Sequence, residues 1–593
     1  MPQRTQEPSS PDTARQVLME RAEDRLAWQR RAVARLLERR KAALLLLLCA
    51  CSTGSPAERT PTFADDVAPI LTRECVVCHR PEGIGPFSLL TYEEARARAH
   101  EIEVVTRDGV MPPWLPAPGY AAFHHERRLS DDEVRTLSRW VRAGAPGGNL
   151  ANAPPPPDRP PDGWQAGEPE LVLELPAYEV PAGGGDIYRN FVLPYDGRDT
   201  LWVGAVELRP GDPTVVHHAR LMVDTTDGSA ELDRADPSPG FDGMTLVSAA
   251  ENPQGSFVGW TPGKSASTGS ADLAWPLPPG ADLVVQLHLR PADRTVPLEP
   301  LVGLHPVGRP EGHLPSLIVL DSDDIDIPAG DAAHVVEETF RLPVAVDALG
   351  VYPHAHYLAR RMEGFATLPD GSRRWLILIE DWDFHWQDEY RFAEPVPLPA
   401  GSVLTLRYTY DNSPANPANP HDPPRRVRFG PESTDEMAEL IVQVRTRRPE
   451  DRAVLEEAVR WMYFTKEAQR RARAEVTRGD SLAAADRLDE ALDAYRGALR
   501  MSNDPAIMAS MARVLVAKGD GAAAVVVAEQ AAALAGAPGP EILATLALAY
   551  RAAGREADAE ASLLRAVEAA EQRGMMALAD TLRARLVDSP PHP

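Results

Sequence analysis

Apolar and polar positions alternate along the middle of the chain. The runs LWVGAVEL at 201–208, DLVVQLHL at 282–289 and SVLTLRYTY at 402–410 are short and lie among Gly, Pro, Asp and Asn. Alternation with period two is typical of strands with one buried face, and many short strands separated by turn signals favour β-sandwiches. We therefore predict two all-β sandwiches, over residues 169–308 and 309–448.

The C-terminal stretch, about 465–590, has a helical and repetitive pattern. Alanines recur there at spacings of 33 and 35 residues and glycines mark turns: Ala491, Ala524 and Ala559; Ala498, Ala531 and Ala566; Gly519 and Gly554. This resembles tetratricopeptide repeats, helix pairs of about 34 residues in which small residues allow close packing. The resemblance implies either a surface for a protein partner or a stabilising cap on the preceding domain.

Near the N-terminus, a short apolar run, AALLLLLCA at 42–50, follows a basic stretch. It is too short to span a bilayer, but a basic region before a short apolar run is typical of an export signal. The sequence LCAC ending at Cys51 resembles a bacterial lipobox, which implies lipidation of Cys51 and a membrane-anchored, periplasmic or outer-membrane-associated bacterial lipoprotein. A plain cleaved signal is the alternative. Residues 1–51 are assigned to this export segment, with Met19 as an alternative start.

Residues 60–150 contain the motif Cys75-Val-Val-Cys78-His79, the Cys-x-x-Cys-His pattern of covalent c-type haem attachment. A disulfide or a zinc knuckle is the alternative, but zinc would need two further ligands of Cys type. The chain has 4 Cys, all before residue 80. We therefore predict a small α-helical cytochrome c domain with one covalently bound haem. A Pro-rich linker, 151–168, follows it.

The second axial ligand of this haem has several candidates. Met111, in Met-Pro-Pro-Trp, resembles the sixth-ligand loop of small cytochromes c, and a thioether there would raise the reduction potential. His100, His124 and His125 are the alternatives. After Ser130, a capping residue, the pattern predicts a closing amphipathic helix.

Charge and cysteine content narrow the possible classes of protein. The formal net charge of -25 argues against nucleic acid as a partner, because phosphate binding needs a basic patch. Since every Cys precedes residue 80, no disulfide can cross-link the predicted sandwiches, which must rely on their apolar cores.

Five histidines and one methionine stand out within the predicted sandwiches: His217, His218, His288, His354, His356 and Met437. Imidazole and thioether ligands together suit copper that cycles between Cu(I) and Cu(II). In a strand, His354 and His356 would point to the same face and could reach one metal. His217 and His218 would point to opposite faces, so they can share a metal only at a bulge or strand end, which Pro213 permits.

These motifs and their order resemble the copper type II, ascorbate-dependent monooxygenases, the peptidylglycine and dopamine β-hydroxylating family, over about residues 169–448. The resemblance implies an electron-transfer copper held by one set and an O2-binding copper held by the other: His217, His218 and His288; His354, His356 and Met437. It also makes Gln286 a candidate partner of the first set. Met362 is a rival to Met437, whereas His385 and His421 lie in no motif and are expected at the surface or in packing.

The resemblance implies an enzyme that binds two copper ions and hydroxylates a C–H bond of a small organic substrate with O2, using an external reductant or electrons from the fused haem. The positions that contact peptide in the peptide-hydroxylating members are changed here to Tyr352, Glu439 and Ile441, so a glycine-extended peptide is not expected. Two alternatives remain open. The chain could be a non-catalytic haem and copper electron-transfer or copper-handling protein, or a repeat scaffold with a degenerate enzyme half.

Overall fold

A computed structural model describes residues 59–81, 85–155, 164, 166–212, 214–244, 250–261, 264, 267–268, 273–312 and 314–587. The predicted export segment with Cys51, much of the Pro-rich linker and Pro213 lie outside these residues. The chain divides into two compact units. The first comprises residues up to 80, 87–112 and 129–157, and the second comprises 81–86, 113–128 and the chain from 158 onward.

The first unit is helical. Its described part contains a π-helical turn, Phe63–Val67, four α-helices and a short 3-10 turn: α1 Ala68–Glu74, α2 Tyr92–Ala97, α3 Ala99–Arg107, α4 Asp131–Arg142 and the turn Leu150–Asn152. The Ser130 hydroxyl and the Glu133 carboxylate form a reciprocal capping box at the start of α4, as the sequence predicted. Leu137 and Trp140 are fully buried on the inner face of this helix.

Residues 113–128 interrupt the helical domain predicted over 60–150, because they pack in the second unit. Phe123 forms a β-bridge with Phe392, and their rings stack with centroids 5.4 Å apart. The rings of Trp114 and Tyr390 are nearly perpendicular, with centroids 5.3 Å apart. We call this segment the strap. Its aromatic side chains bury apolar surface on the second unit, which explains why it leaves the helices that flank it in sequence.

Within the described residues, the first sandwich contains thirteen strands and one short helix: β1 Leu171–Glu174, β2 Tyr178–Val180, β3 Ile187–Pro194, β4 Leu201–Arg209, β5 Val216–Asp224, α5 Gly228–Ala235, β6 Phe241–Asp242, β7 Ala250–Glu251, β8 Val258–Trp260, β9 Ser267–Thr268, β10 Trp275–Leu277, β11 Asp282–Leu289, β12 Val296–Leu298 and β13 Leu301–Pro306. One sheet has the order β1-β13-β4-β10, with β9 beside β4. The other has the order β6-β3-β11-β5-β7, with β8 beside β5, and β12 pairs with β2. All pairings are antiparallel.

The second sandwich contains ten strands: β14 Ser316–Ser322, β15 Asp326–Ile327, β16 His334–Arg341, β17 Val346–His354, β18 Ala359–Thr367, β19 Arg373–Ile379, β20 Tyr390–Leu398, β21 Val403–Tyr410, β22 Val427–Arg428 and β23 Ala438–Thr446. Its two main sheets have the orders β14-β23-β17-β20 and β16-β21-β18-β19. Apolar side chains from both sheets share one buried core.

Because a strand has a period of two, alternate side chains lie on opposite faces of the sheet. In β11, Leu283, Val285 and Leu287 enter the core of the first sandwich, so Gln286 and His288 lie on the opposite face of the same sheet. The β-rich middle predicted from the alternation is confirmed. The outward faces of these sheets carry the histidine motifs.

The C-terminal part is helical, as predicted: α6 Asp451–Ala484, α7 Leu488–Leu499, α8 Pro505–Ala517, α9 Gly521–Leu534, α10 Pro540–Ala552, α11 Glu556–Gln572 and α12 Met576–Val587. The recurring alanines are all fully buried between helices: Ala491, Ala498, Ala524, Ala531, Ala559 and Ala566. The region starts earlier than predicted, because Leu455 and Val459 of α6 insert into the core of the second sandwich. No helix within the described residues is both long and apolar enough to cross a membrane.

Candidate metal centre

A β-bulge brings His217 and His218 to one side of the sheet. In the ladder between β11 and β5, His288 pairs with His218 while Leu289 pairs with Val216, so His217 is the extra residue. A bulge re-aims side chains that an ideal strand would send to opposite faces. The condition that the sequence set for a shared metal is therefore met.

The three imidazoles of this first histidine set converge through the same ring atom. The Nδ1 atoms of His217 and His218 are 3.1 Å apart, and those of His288 and His218 are 3.4 Å apart. All three side chains can offer ligand atoms within 4.8 Å of one another. Three neutral imidazole nitrogens around one point are a donor set that fits a copper ion, among the borderline metals. At these distances one Nδ1–H can donate to a neighbouring Nδ1, and a bound cation would take the place of that proton.

The second histidine set presents the other ring nitrogen. The Nδ1 atom of His354 lies 2.6 Å from Gln387 Oε1, and Nδ1 of His356 lies 3.2 Å from the Asp435 carbonyl oxygen. Both partners are acceptors, so each Nδ1 carries the proton and donates it. The Nε2 atoms are thereby left with their lone pairs, which is the arrangement that orients a histidine ligand.

Glu436 connects Met437 to this second set. Its carboxylate is fully buried and accepts the backbone N–H groups of His356 at 2.9 Å, of Leu358, and of Met437 at 3.1 Å. Burial raises the pKa of Glu436 to about 8, against the lowering effect of those N–H donors. Tyr410 also donates to the Met437 carbonyl oxygen at 2.7 Å. The backbone beside the thioether is thus fixed relative to His356.

The two rival or accessory residues occupy different environments. Met362 is fully buried within the apolar core of the second sandwich, where a methionine fills space. Gln286 donates to Asn190 Oδ1 and to the carbonyl oxygens of Gly243 and Met244. Among the described residues, it makes no hydrogen bond to a histidine of the first set.

The partners of His288 are residues that the sequence did not single out. Tyr188 stacks on the His288 ring at a centroid distance of 4.3 Å. Asp186 Oδ2 lies 3.2 Å from His288 Nε2, without the geometry of a hydrogen bond. The same carboxylate accepts hydrogen bonds from the backbone and hydroxyl of Ser433, and the Tyr188 hydroxyl donates to the Pro431 carbonyl oxygen at 3.0 Å. The loop that precedes Met437 therefore contacts Asp186 and Tyr188, the two residues that lie against His288.

The two histidine sets lie next to each other. The ring centroids of His218 and His354 are 6.1 Å apart, and those of His354 and His356 are 5.4 Å apart. The outward faces of one sheet from each sandwich therefore meet where the predicted ligands are placed. The five histidines that the sequence assigned to two metals form one continuous cluster.

Burial favours the neutral form of four of these histidines. It lowers the pKa of His354 to about 4 and that of His356 to about 3, and it lowers the pKa of His217 and His218 well below the usual value. The other histidines of the cluster act in the same direction by Coulomb repulsion. Neutral imidazole is the form that binds metal, so protons do not compete with a metal for these four side chains at neutral pH.

His385 was expected at the surface or in packing, and it is exposed, but its ring lies 6.5 Å from that of His217. It belongs to the loop 380–389, which joins β19 to β20 and which the sequence analysis missed. The only available signal was its density of aromatic and amide side chains, DWDFHWQ at 381–387. His421 lies elsewhere, with Nε2 beside the Thr434 carbonyl oxygen and Arg425.

The substituted peptide-contact positions form an apolar cluster. Tyr352 lies under Phe257 with ring centroids 4.3 Å apart, and it packs with Ile441 and Val319. Burial raises the pKa of Glu439, while nearby Arg220 acts in the opposite direction. A buried tyrosine ring therefore stands at position 352, and the exclusion of a glycine-extended peptide stays a prediction.

The Cys-x-x-Cys-His motif lies at the end of α1. The backbone N–H groups of Cys78 and His79 both donate to the Cys75 carbonyl oxygen, and His79 Nδ1 donates to the Phe87 carbonyl oxygen at 3.2 Å. His79 Nε2 is thereby left as the atom able to bind iron, and Cys75 is not part of a disulfide. Burial raises the pKa of Cys75 to about 12. These residues fit a covalently attached haem.

The candidates for the sixth haem ligand are separated by the fold. Met111 follows α3 and is 37 % exposed. His100 is exposed on α3. His124 and His125 belong to the strap, where the backbone N–H of His124 donates to the Arg391 carbonyl oxygen. Met111 and His100 are therefore the candidates on the helical unit itself, and Met111 stays the prediction.

Comparison with protein-family models gives no match, and no curated protein matches the chain. Solved structures with partial similarity include the Arabidopsis OM64 TPR domain, at 13% identity, covering 20% of this chain and 96% of that chain, with a TM-score of 0.18. They also include the Sgt2 TPR domain from Aspergillus fumigatus, at 20% identity, covering 21% and 86%, with a TM-score of 0.18. The Yersinia enterocolitica type III secretion translocator chaperone SycD has 14% identity, 20% and 89% coverage and a TM-score of 0.19.

Proposed function

We propose that this protein is a copper-dependent monooxygenase that hydroxylates a C–H bond of a small organic substrate with O2. The observation that carries the proposal is the pair of complementary ring orientations in one cluster. Three Nδ1 atoms converge in the first set, while His354 and His356 have their Nδ1 atoms engaged and their Nε2 atoms available. Bound copper would supply the one-electron redox chemistry that allows O2 to react with an unactivated C–H bond.

The chain's own residues determine the setting for that chemistry. His217, His218 and His288 would hold one copper, and His354, His356 and Met437 would hold the other. Gln387 and the Asp435 carbonyl oxygen orient the second set, and Asp186 and Tyr188 lie against the first. His288 and His356 are fully buried and the other three imidazoles are partly buried, which limits water at the site and strengthens the fixed electrostatic interactions there.

Metal content gives the first test. The protein expressed with haem-maturation machinery should bind two copper ions and one haem per chain, because it offers two imidazole sets and one Cys-x-x-Cys-His motif. Elemental analysis and a pyridine haemochrome assay measure both. A copper content near one, or zinc retained in place of copper, would contradict the two-site assignment.

Oxygen uptake distinguishes this proposal from a non-catalytic electron-transfer or copper-handling protein. The copper-loaded protein is mixed with a reductant such as ascorbate, and O2 consumption is followed across a panel of organic substrates. A substrate-dependent increase with formation of a hydroxylated product supports the monooxygenase. Full copper loading without product from any substrate favours the alternative.

The fused haem motif predicts a link between the two redox centres. Each hydroxylation needs two electrons from outside the substrate, and covalent tethering raises the effective concentration of a donor. When the reduced protein is mixed with O2 and substrate in a stopped-flow instrument, the haem should be oxidised about tenfold faster in the copper-loaded protein than in the copper-free protein. The haem absorbance follows this oxidation. Equal rates in copper-loaded and copper-free protein would assign the haem to a separate redox partner.

We further propose that the protein is exported and held at a membrane by lipid on Cys51, and that the C-terminal helices offer a surface to a protein partner. Support for the first comes from the sequence LCAC after a basic and apolar stretch. Support for the second comes from the tetratricopeptide-like spacing of the buried alanines. Insertion of α6 into the second sandwich also favours a stabilising role for these helices.

A further inference from the structure

The loop 380–389 contacts both histidine sets through one side chain. Phe384 stacks on the ring of His217, with centroids 4.6 Å apart and planes 25° apart. The same phenyl ring meets His356 edge-on, with centroids 5.5 Å apart and planes 78° apart. We propose that Phe384 is a positioning residue that holds the two histidine sets at a fixed separation. The inference rests on the proposed function, since it concerns the mutual position of the two copper sites.

The loop is attached to the second sandwich at the histidines themselves. Trp382 Nε1 donates to the backbone carbonyl oxygen of His356 at 3.1 Å, and Gln387 Oε1 accepts from His354. Gln387 Nε2 also donates to the Phe384 carbonyl oxygen at 3.0 Å, which closes the loop on itself. The backbone that carries Phe384 is therefore set by the same groups that orient the second set.

The loop is attached to the first sandwich as well. Thr261 Oγ1 donates to the Gln387 carbonyl oxygen at 2.8 Å, and Lys264 Nζ lies 3.3 Å from Glu389 Oε2. These contacts join segments more than 120 residues apart in sequence. The loop thus links the two sandwiches directly beside the cluster, and a change in the position of either sandwich would strain it.

The strap holds the loop from another side. Arg127 forms an ion pair with Asp388 and lies over the Trp386 ring at 4.7 Å from its centroid. Trp386 and Asp388 are the sequence neighbours of Gln387. Their contacts with Arg127 therefore fix the position of the Gln387 amide, which binds His354. Phe384 itself is only 3% exposed.

The flat ring of Phe384 suits this position for a physical reason. One face covers the imidazole of His217 while the edge points at His356, and aromatic rings favour both of these arrangements. An aliphatic side chain of similar volume would fill the space without fixing the angle between the two imidazoles. A small side chain would leave a cavity into which either histidine could turn or water could enter.

The spin–spin interaction between two Cu(II) ions measures the separation of the sets without any substrate. Frozen, fully oxidised, copper-loaded protein is compared with the variants by electron paramagnetic resonance. We expect dipolar broadening and a half-field signal in the unchanged protein. Phe384→Ala should weaken the interaction about twofold or more, Phe384→Leu should weaken it partly, and Phe384→Tyr, which keeps the ring, should retain it.

Phe365→Ala is the matched control, because Phe365 is another buried phenylalanine of the second sandwich whose ring contacts Trp375 and no histidine. It should lower the thermal stability as Phe384→Ala does and leave the spin interaction unchanged. Equal spectra for Phe384→Ala and the unchanged protein, each with two copper ions, would overturn the positioning role while leaving the proposed function intact. Failure of the unchanged protein to bind two copper ions would overturn both.

Discussion

Met437→Ala is expected to abolish O2-dependent hydroxylation while copper remains bound at His217, His218 and His288. Loss of a residue that merely supports a metal ligand commonly costs roughly 10–100-fold in affinity or activity, and loss of the ligand itself should cost more. A thioether favours Cu(I), the oxidation state that reacts with O2, so its removal should impair the reaction with O2. Because Met437 is assigned to the second set, copper binding at the first set should not change. Copper content shows whether the first set keeps its metal, and O2 uptake with reductant measures the activity. The sulfur contribution to the copper X-ray absorption spectrum shows whether the thioether ligand has been lost.

The control for this experiment follows from the position of the other sulfur. Met362 is fully buried in an apolar core, so Met362→Leu conserves volume and should be tolerated with little loss of stability. Met437→Leu is its counterpart, because it removes the sulfur and keeps a similar shape. Full activity of Met437→Leu together with loss of the sulfur signal in Met362→Leu would show that the wrong methionine had been chosen.

The alternating pattern predicted much of what surrounds these residues. It predicted that His354 and His356 share one face, whereas His356 follows the end of β17. It also required a bulge or a strand end at His217 and His218, and the ladder to β11 contains a bulge there. These features depend on residues near one another in sequence, where the strand period decides the facing of each side chain. The buried alanines of the repeats could be predicted for the same reason.

The partners of the ligands could not be predicted in this way. Gln387 binds a histidine 33 residues away, and Glu436 binds backbone groups nearly 80 residues away. The period of a strand gives the face of a residue but does not specify which loops fold over that face. The strap was missed for a related reason, because its aromatic residues pack on strands more than 250 residues further along the chain.

Glu436→Ala is expected to destabilise the second sandwich strongly and to weaken copper binding at the second set. The carboxylate accepts three backbone N–H groups inside the protein, and the variant would leave them buried without acceptors. Each such donor costs about 1–3 kcal/mol, so a loss on the order of 3 kcal/mol or more is expected, reduced by relief from burying the polar carboxyl group. Glu436→Gln retains one acceptor oxygen, so its stability should lie between that of the unchanged protein and that of Glu436→Ala.

The denaturation midpoint of the metal-free protein and the Cu(I) affinity of the refolded protein measure these effects separately. Glu432→Ala is the matched control, because Glu432 is an exposed carboxylate in the same loop and should change neither quantity appreciably. Because Glu436 ties the backbone of His356 to that of Met437, the loss of affinity should be confined to the second set. Weakened copper binding at His217, His218 and His288 in Glu436→Ala would instead indicate that the whole cluster had collapsed, and an unchanged midpoint would refute the structural role assigned to the carboxylate.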